Sequence, residues 1–205
     1  MGAIQSLKAW WNRIAVNDDL EPWDGKPSPD QAREEAKALK KLRSELHIWT
    51  LTTFNFLGSE IAERLSRRIR RETSLGDSEA LDAANALRDG LIGDFFKGGR
   101  APFVFLFDAG YTEDAEKIFN KVCNSYGINA YFRYEEATQG ALPPSVLRNF
   151  KGWLIERSFD LIIFDTGGDE YCGFVIPLDI LESALAGLKV MGVKAISLYT
   201  SPNQA

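Results

Sequence analysis

Near Arg100 the spacing of the apolar residues changes, and that change constrains the fold more than any other feature of the chain. Before it, apolar residues recur at intervals of three and four, the period of a helix that buries one face. Ala32, Ala36, Leu39, Leu42, Leu46 and Trp49 form one such stripe, which continues through Phe54, Leu57, Ile61, Leu65 and Ile69. After it come short apolar runs of strand length, separated by amphipathic stretches of helical period. Residues 1–96 therefore read as a helical region and residues 97–205 as an α/β domain.

Punctuation refines the helical part. Ser28 followed by Pro29 predicts a helix start, with the serine as N-cap and the proline at the first helical position. Residues 30–71 predict one long helix or two, and a hairpin or kink is favoured near Thr50, Thr52, Thr53 and Gly58, where β-branched residues and glycine lower helix propensity. Asp77 is the expected cap of a further helix carrying Leu81, Ala84, Leu87 and Leu91. Asp18–Pro29, with Pro22, Gly25 and Pro27, reads as an irregular connection from a first short helix. Trp10, Trp11 and Trp23 flank that connection and are expected to anchor it by packing.

Beyond Arg100 the reading is a strand at Pro102–Phe107, a helix at Thr112–Tyr126 and a strand at Ile128–Tyr134. Pro143 and Pro144 then open a helix that runs to Glu156. A strand at Phe159–Asp165, a tight Gly167-Gly168 turn, a strand at Tyr171–Pro177, a helix at Leu178–Met191 and a strand at Val193–Tyr199 complete the order βαβαββαβ. Strand-helix-strand units normally make parallel crossovers, and a Gly-Gly turn makes an antiparallel hairpin. The expectation is an α+β (mixed α/β) fold: a mixed sheet of about five strands, with helices on one or both faces.

Composition matters here for what it excludes. With 45% hydrophobic and 26% charged residues over 205 positions, the chain can bury a core and is not of the disordered class. No apolar run approaches the roughly 18 to 20 residues that cross a bilayer, so no membrane partner is expected. Asn12 and Arg13 interrupt the start where a secretory segment would be apolar. Cys123 and Cys172 stand too far apart for a zinc or redox motif and read as reduced, buried thiols, which suits a cytoplasmic protein. The formal charge of −5 argues against nucleic acid as the main partner.

The most conspicuous local feature is Asp165-Thr166-Gly167-Gly168-Asp169-Glu170-Tyr171, three carboxylates on a turn directly after an apolar strand. Carboxylates converging at a sheet edge can hold Mg²⁺ or act as an acid/base pair. Asp and Gly are also what any tight hairpin needs, and solvated acids cost nothing there. The run Gly167–Tyr171 resembles the GGDEF signature of diguanylate cyclases, with Tyr for Phe, on the hairpin where that family carries it. The resemblance extends to the strand, helix and strand that follow. Arg157-Ser158-Phe159-Asp160 is similar to the family's inhibitory Arg-x-x-Asp pair, one residue too far from the signature. Asp108, at the end of a predicted strand, stands where the family's first metal ligand would be, but Ala109-Gly110-Tyr111 follows in place of its guanine-recognition segment. The predicted strand Ile128–Tyr134 also departs from the family's order, and such a relative would be inactive. Asp165, Gly167, Asp169 and Tyr171 are similar as well to an uncharacterised bacterial domain family with an Asp-x-Gly-Ser-Asp-x-Tyr hairpin, in which Gly168 replaces the Ser. Small acidic proteins of that type resemble immunity proteins against bacterial toxins.

Two further features carry weaker chemistry. Arg64, Arg67, Arg68, Arg70 and Arg71 could meet phosphates or an acidic protein face, although cations are commonly placed at the solvated end of a helix. His47, the one histidine, has apolar neighbours in sequence and no companion ligand, which argues against metal or His-assisted chemistry. Gly98-Gly99-Arg100 precedes a strand and is the wrong context for a phosphate cradle.

The expected function is therefore non-enzymatic. An immunity or antitoxin-type inhibitor would bind a bacterial toxin effector through a surface containing Asp108, Asp165, Asp169, Glu170 and Tyr171, with no cofactor. The competing expectation is a degenerate GGDEF-like or Mg-dependent nucleotide-binding or phosphoryl-transfer domain, with Asp108, Asp165, Asp169 and Glu170 around Mg²⁺.

Overall fold

A computed structural model describes residues 28–73, 83–93, 102–108, 114–134 and 143–197. The expected first helix, its tryptophans, the cap at Asp77 and the end of the last strand beyond Ser197 lie outside the described residues. The chain divides into two compact units, Met1–Lys37 and Ala38–Ala205. In the first, the described residues begin helix α1 (Pro29–Thr53). Its start is closed as the sequence predicts: the Gln31 backbone N–H donates to Ser28 Oγ at 3.3 Å and Ser28 N–H to Gln31 Oε1 at 2.8 Å. These reciprocal bonds satisfy donors that the first turn leaves without partners.

The second unit holds the rest of α1, helices α2 (Ser59–Glu72) and α3 (Ala83–Ile92), strand β1 (Phe105–Asp108), helices α4 (Ala115–Ser125) and α5 (Pro143–Ile155), strands β2 (Phe159–Phe164) and β3 (Glu170–Pro177), helix α6 (Leu181–Val190) and strand β4 (Ala195–Ser197). The predicted break between α1 and α2 is present. Thr50 and Thr52 hydroxyls bond back to the carbonyls of Leu46 and Ile48, at 2.6 and 3.0 Å, which loosens the last turns of α1. A single 3₁₀ turn, Asn55–Leu57, follows, and Gly58 then adopts φ 96°, a conformation that disfavours any side chain.

The sheet differs from the expected one in two respects. Among the described residues it has four strands in the order β1-β3-β2-β4, and every pairing is antiparallel. The helical crossovers do join strands that run the same way, but each pair is split by another strand. β3 lies between β1 and β2, and β2 lies between β3 and β4. The sheet is therefore not mixed, because insertion of the β2–β3 hairpin converts each would-be parallel neighbour into an antiparallel one.

The predicted strand at Ile128–Tyr134 is absent, although Ile128 and Phe132 are buried. The Asn120 side chain on α4 takes both backbone groups of Phe132, accepting from its N–H and donating to its carbonyl, each at 2.8 Å. Tyr134 N–H donates to Glu116 Oε2 at 3.0 Å. The segment is extended along a helix whose side chains replace a strand ladder.

Helices cover both faces of the sheet. On one face Phe174 meets Trp49 of α1 edge to ring at 5.9 Å between centroids and Phe54 in a tilted contact at 5.7 Å. On the other, Phe105 meets Phe119 of α4 at 5.2 Å, and Phe119 stacks on Phe150 of α5 at 4.0 Å. Trp49 is fixed further by its indole N–H, which donates to the Ala184 carbonyl of α6 at 3.0 Å. A side chain at Gly187 would collide with that indole, so the glycine is what admits it.

Candidate functional site

The acidic hairpin links the two central strands, and its conformation follows from its residues. Asp165 Oδ1 accepts the N–H of Gly167 at 2.8 Å, an Asx turn, and Gly167 takes φ 80°. Asp165 N–H bonds to the Lys194 carbonyl at 2.9 Å, and the Lys194 ammonium lies 3.8 Å from Asp165 Oδ2. Asn85 of α3 donates to the carbonyl of Thr166 at 3.3 Å. The turn is thus tied to α3 on one side and to the residue before β4 on the other.

Its carboxylates do not converge. Glu170 receives Arg88 Nη1 at 2.9 Å and the Thr166 hydroxyl at 3.1 Å, both on Oε1. Arg88 also donates to the neighbouring Asp89, at 2.8 Å from Nε. That bond first, and then the bond to Glu170, hold the guanidinium above its ordinary pKa against the opposing effect of partial burial. Behind this pair Cys172 is fully buried, and desolvation raises its thiol far above the ordinary range. Asp169 and Asp165 are exposed, the latter directed towards Lys194. Tyr171 is half-buried against the core. Asp108 stands directly opposite Glu170 in the β1–β3 register. Among the described residues, no three His, Cys, Asp or Glu side chains gather as a metal ion would require.

The Arg157 and Asp160 pair is turned inward. Arg157 lies over the Trp153 ring at 4.0 Å and donates to the Trp153 carbonyl at 2.6 Å. Asp160 is fully buried, receiving the Ser197 hydroxyl at 2.7 Å and the Leu161 N–H at 2.6 Å. Lys151, buried nearby, is shifted below its ordinary pKa by desolvation, with Asp160 opposing.

The arginine cluster falls on α2 and splits in two. Arg67, Arg70 and Arg71 are exposed, whereas Arg64 and Arg68 are half-buried. Arg68 lays its guanidinium against Gly93, where φ is 56° and a β-carbon would strike it. This puts a cation at the carbonyl end of α3, where the helix dipole favours it. His47 of α1 shares a 2.6 Å hydrogen bond between Nδ1 and the buried Ser66 hydroxyl of α2. It joins two helices and has a structural partner.

Sequence reasoning named the hairpin's acids but not the groups that hold them. Asn85, Arg88 and Lys194 come from α3 and from the residue before β4, and no motif marks them. The only available signal was charge balance: a Glu beside a buried strand needs a cation, and Arg88 lies on a helix with a single basic residue.

The fold and hairpin define an α+β domain with an antiparallel four-stranded sheet between helical layers, in which no helix of the described residues is long and apolar enough to cross a membrane. Residues 51–199 match the family described as Domain of unknown function (DUF6630), and the chain belongs to that family. No curated protein and no solved structure matches it. The family match begins at Leu51, near the end of α1, and takes in the whole sheet, the hairpin and the α2 arginines.

Proposed function

We propose that this protein is a non-enzymatic binding protein of the immunity or antitoxin type, which neutralises a bacterial toxin effector in the cytoplasm by direct contact through the 165–171 hairpin. The observation that supports this reading is the division of the hairpin's acids. Glu170 is neutralised by Arg88 and serves to fix the turn, which leaves Asp169 and the two glycines exposed at its tip. A turn held from both sides, with an acid at its apex, presents a preorganised shape to a basic surface, and preorganisation limits the entropy lost on binding.

The test is a complex with the effector encoded beside this gene. Co-expression should give a stoichiometric complex on size-exclusion chromatography, and Asp169→Lys should dissociate it without lowering the melting temperature. A complex indifferent to Asp169→Lys, or no complex at all, rejects this reading.

A second reading, a Mg²⁺-dependent nucleotide site, draws on one observation: the register sets Asp108 across from Glu170. Calorimetry with Mg²⁺ or Mn²⁺ and GTP separates the two. Binding that Asp169→Ala abolishes favours the nucleotide site, and silence favours the inhibitor.

A further inference from the structure

We propose that the outer face of α2, formed by Arg67, Arg70 and Arg71, binds a compact phosphate-rich anion. Residues three and four apart on a helix are neighbours, so Arg70 and Arg71 both lie one turn from Arg67 on the same side. All three are exposed, and among the described residues none of their guanidinium groups forms a hydrogen bond or an ion pair. Even Glu63, one turn before Arg67, is not bridged to it.

The helix ends are held in register. Arg43 of α1 donates from Nε to Thr73 Oγ1 and from Nη2 to the Thr73 carbonyl, each at 3.0 Å, and Thr73 Oγ1 in turn donates to the Arg70 carbonyl at 2.7 Å. His47 and Ser66 make a second tie one turn further along α1. Three positive charges therefore lie on one helix whose position against α1 is fixed by hydrogen bonds.

Stability alone does not account for this set. The helix dipole favours cations in the last turn, which covers Arg70 and Arg71. It does not cover Arg67, and like charges at these spacings oppose helix formation. The cluster's structural duty is met by Arg68, which caps α3.

The ligand class follows from the surroundings. Leu65 and Ile69 of α2 are buried and Ile61 packs against the core, so the face offers no apolar anchor of the kind that dominates protein interfaces. The net charge of −5 works against a long polyanion, whose affinity comes from many phosphate contacts. A compact polyphosphate needs only the local field, and guanidinium forks match its oxygens.

Calorimetric titration of the full chain with inorganic tripolyphosphate at low salt tests the site. One-to-one binding is expected, weakened on the order of tenfold by Arg67→Gln and again by Arg70→Gln, the loss expected for a charged hydrogen bond. Lys189→Gln, an exposed cation at the end of α6, should leave affinity unchanged, and since no hairpin residue enters the site the result does not depend on the hairpin reading. Circular dichroism of the same variants should show native helix content. The proposal is overturned by absence of binding, by binding that survives the combined Arg67→Gln, Arg70→Gln and Arg71→Gln variant, or by tighter binding of poly-glutamate or duplex DNA than of tripolyphosphate.

Discussion

The acidic hairpin and the basic face of α2 look alike in sequence, each a run of one charge, and the fold treats them alike in space. Each is divided. Glu170 turns inward to Arg88, and Arg68 turns inward to the end of α3. Asp169 on one side, and Arg67, Arg70 and Arg71 on the other, remain outside. They differ in what holds them: the hairpin is fixed through its own charged side chain, whereas the α2 face is fixed by Arg43 and His47 of a neighbouring helix. A charge run in sequence thus mixes members that build the fold with members that are free to bind, and only the inward ones should carry stability.

The largest effect should come from the contact that positions both regions. Gly90 of α3 lies so close to α2 that a β-carbon there would stand 2.6 Å from Ile69 Cα. Gly90→Val should destabilise by roughly 3 kcal/mol, because backbone rather than a flexible side chain must move. Chemical denaturation measures it. A loss below about 1 kcal/mol would mean that α2 and α3 yield easily, and that the α3 groups Asn85 and Arg88 are not set by this packing.

Next in size is the inward acid of the hairpin. Glu170→Ala removes two hydrogen bonds and leaves Arg88 with Asp89 alone. Both partners of the ion pair are mostly shielded, at 25% and 28% side-chain exposure, so a loss of about 2 kcal/mol is expected in thermal unfolding. An unchanged melting temperature would show that the turn holds itself through the Asp165 Asx turn, and the contrast between inward and outward acids would fail.

These partners also mark where sequence reasoning stopped. Strands β2 and β3 and the turn between them were legible, since Leu161–Phe164 and Cys172–Ile176 are continuous apolar runs around Gly167-Gly168. The α1–α2 break was legible from its threonines and Gly58. Ile128–Tyr134 was misread because its apolar pattern is that of a strand, while the ladder partner is one amide, Asn120, on a helix. Sheet order was hidden for a related reason: local signals say that two strands run parallel, not that a third lies between them. Arg88 was hidden because the charge balance of Glu170 is met from a distant helix.

On the basic side the matching inward test is Gly93→Ala. The substitution forces an alanine to φ 56° and displaces the Arg68 guanidinium from the end of α3. About 1 kcal/mol should be lost, mostly to backbone conformation, since Arg68 can swing away. Arg68→Met in the Gly93→Ala background should then add little, because the contact it removes is already broken, and an additive loss would argue that Arg68 acts elsewhere.

The smallest effects belong to the outward members, and they decide whether the division is real. Asp169→Asn and Arg71→Gln remove exposed charges with no ion pair among the described residues, so each should change stability by less than about 0.5 kcal/mol. Arg71→Gln should fall on the stabilising side of zero, because it relieves repulsion from Arg67 one turn away. Raising the salt concentration should erase that small gain, since screening weakens the same repulsion in the unmodified chain. A destabilised Arg71→Gln at low salt would mean that the helix depends on this cation, and the outer face of α2 would then belong with Arg68 to the scaffold.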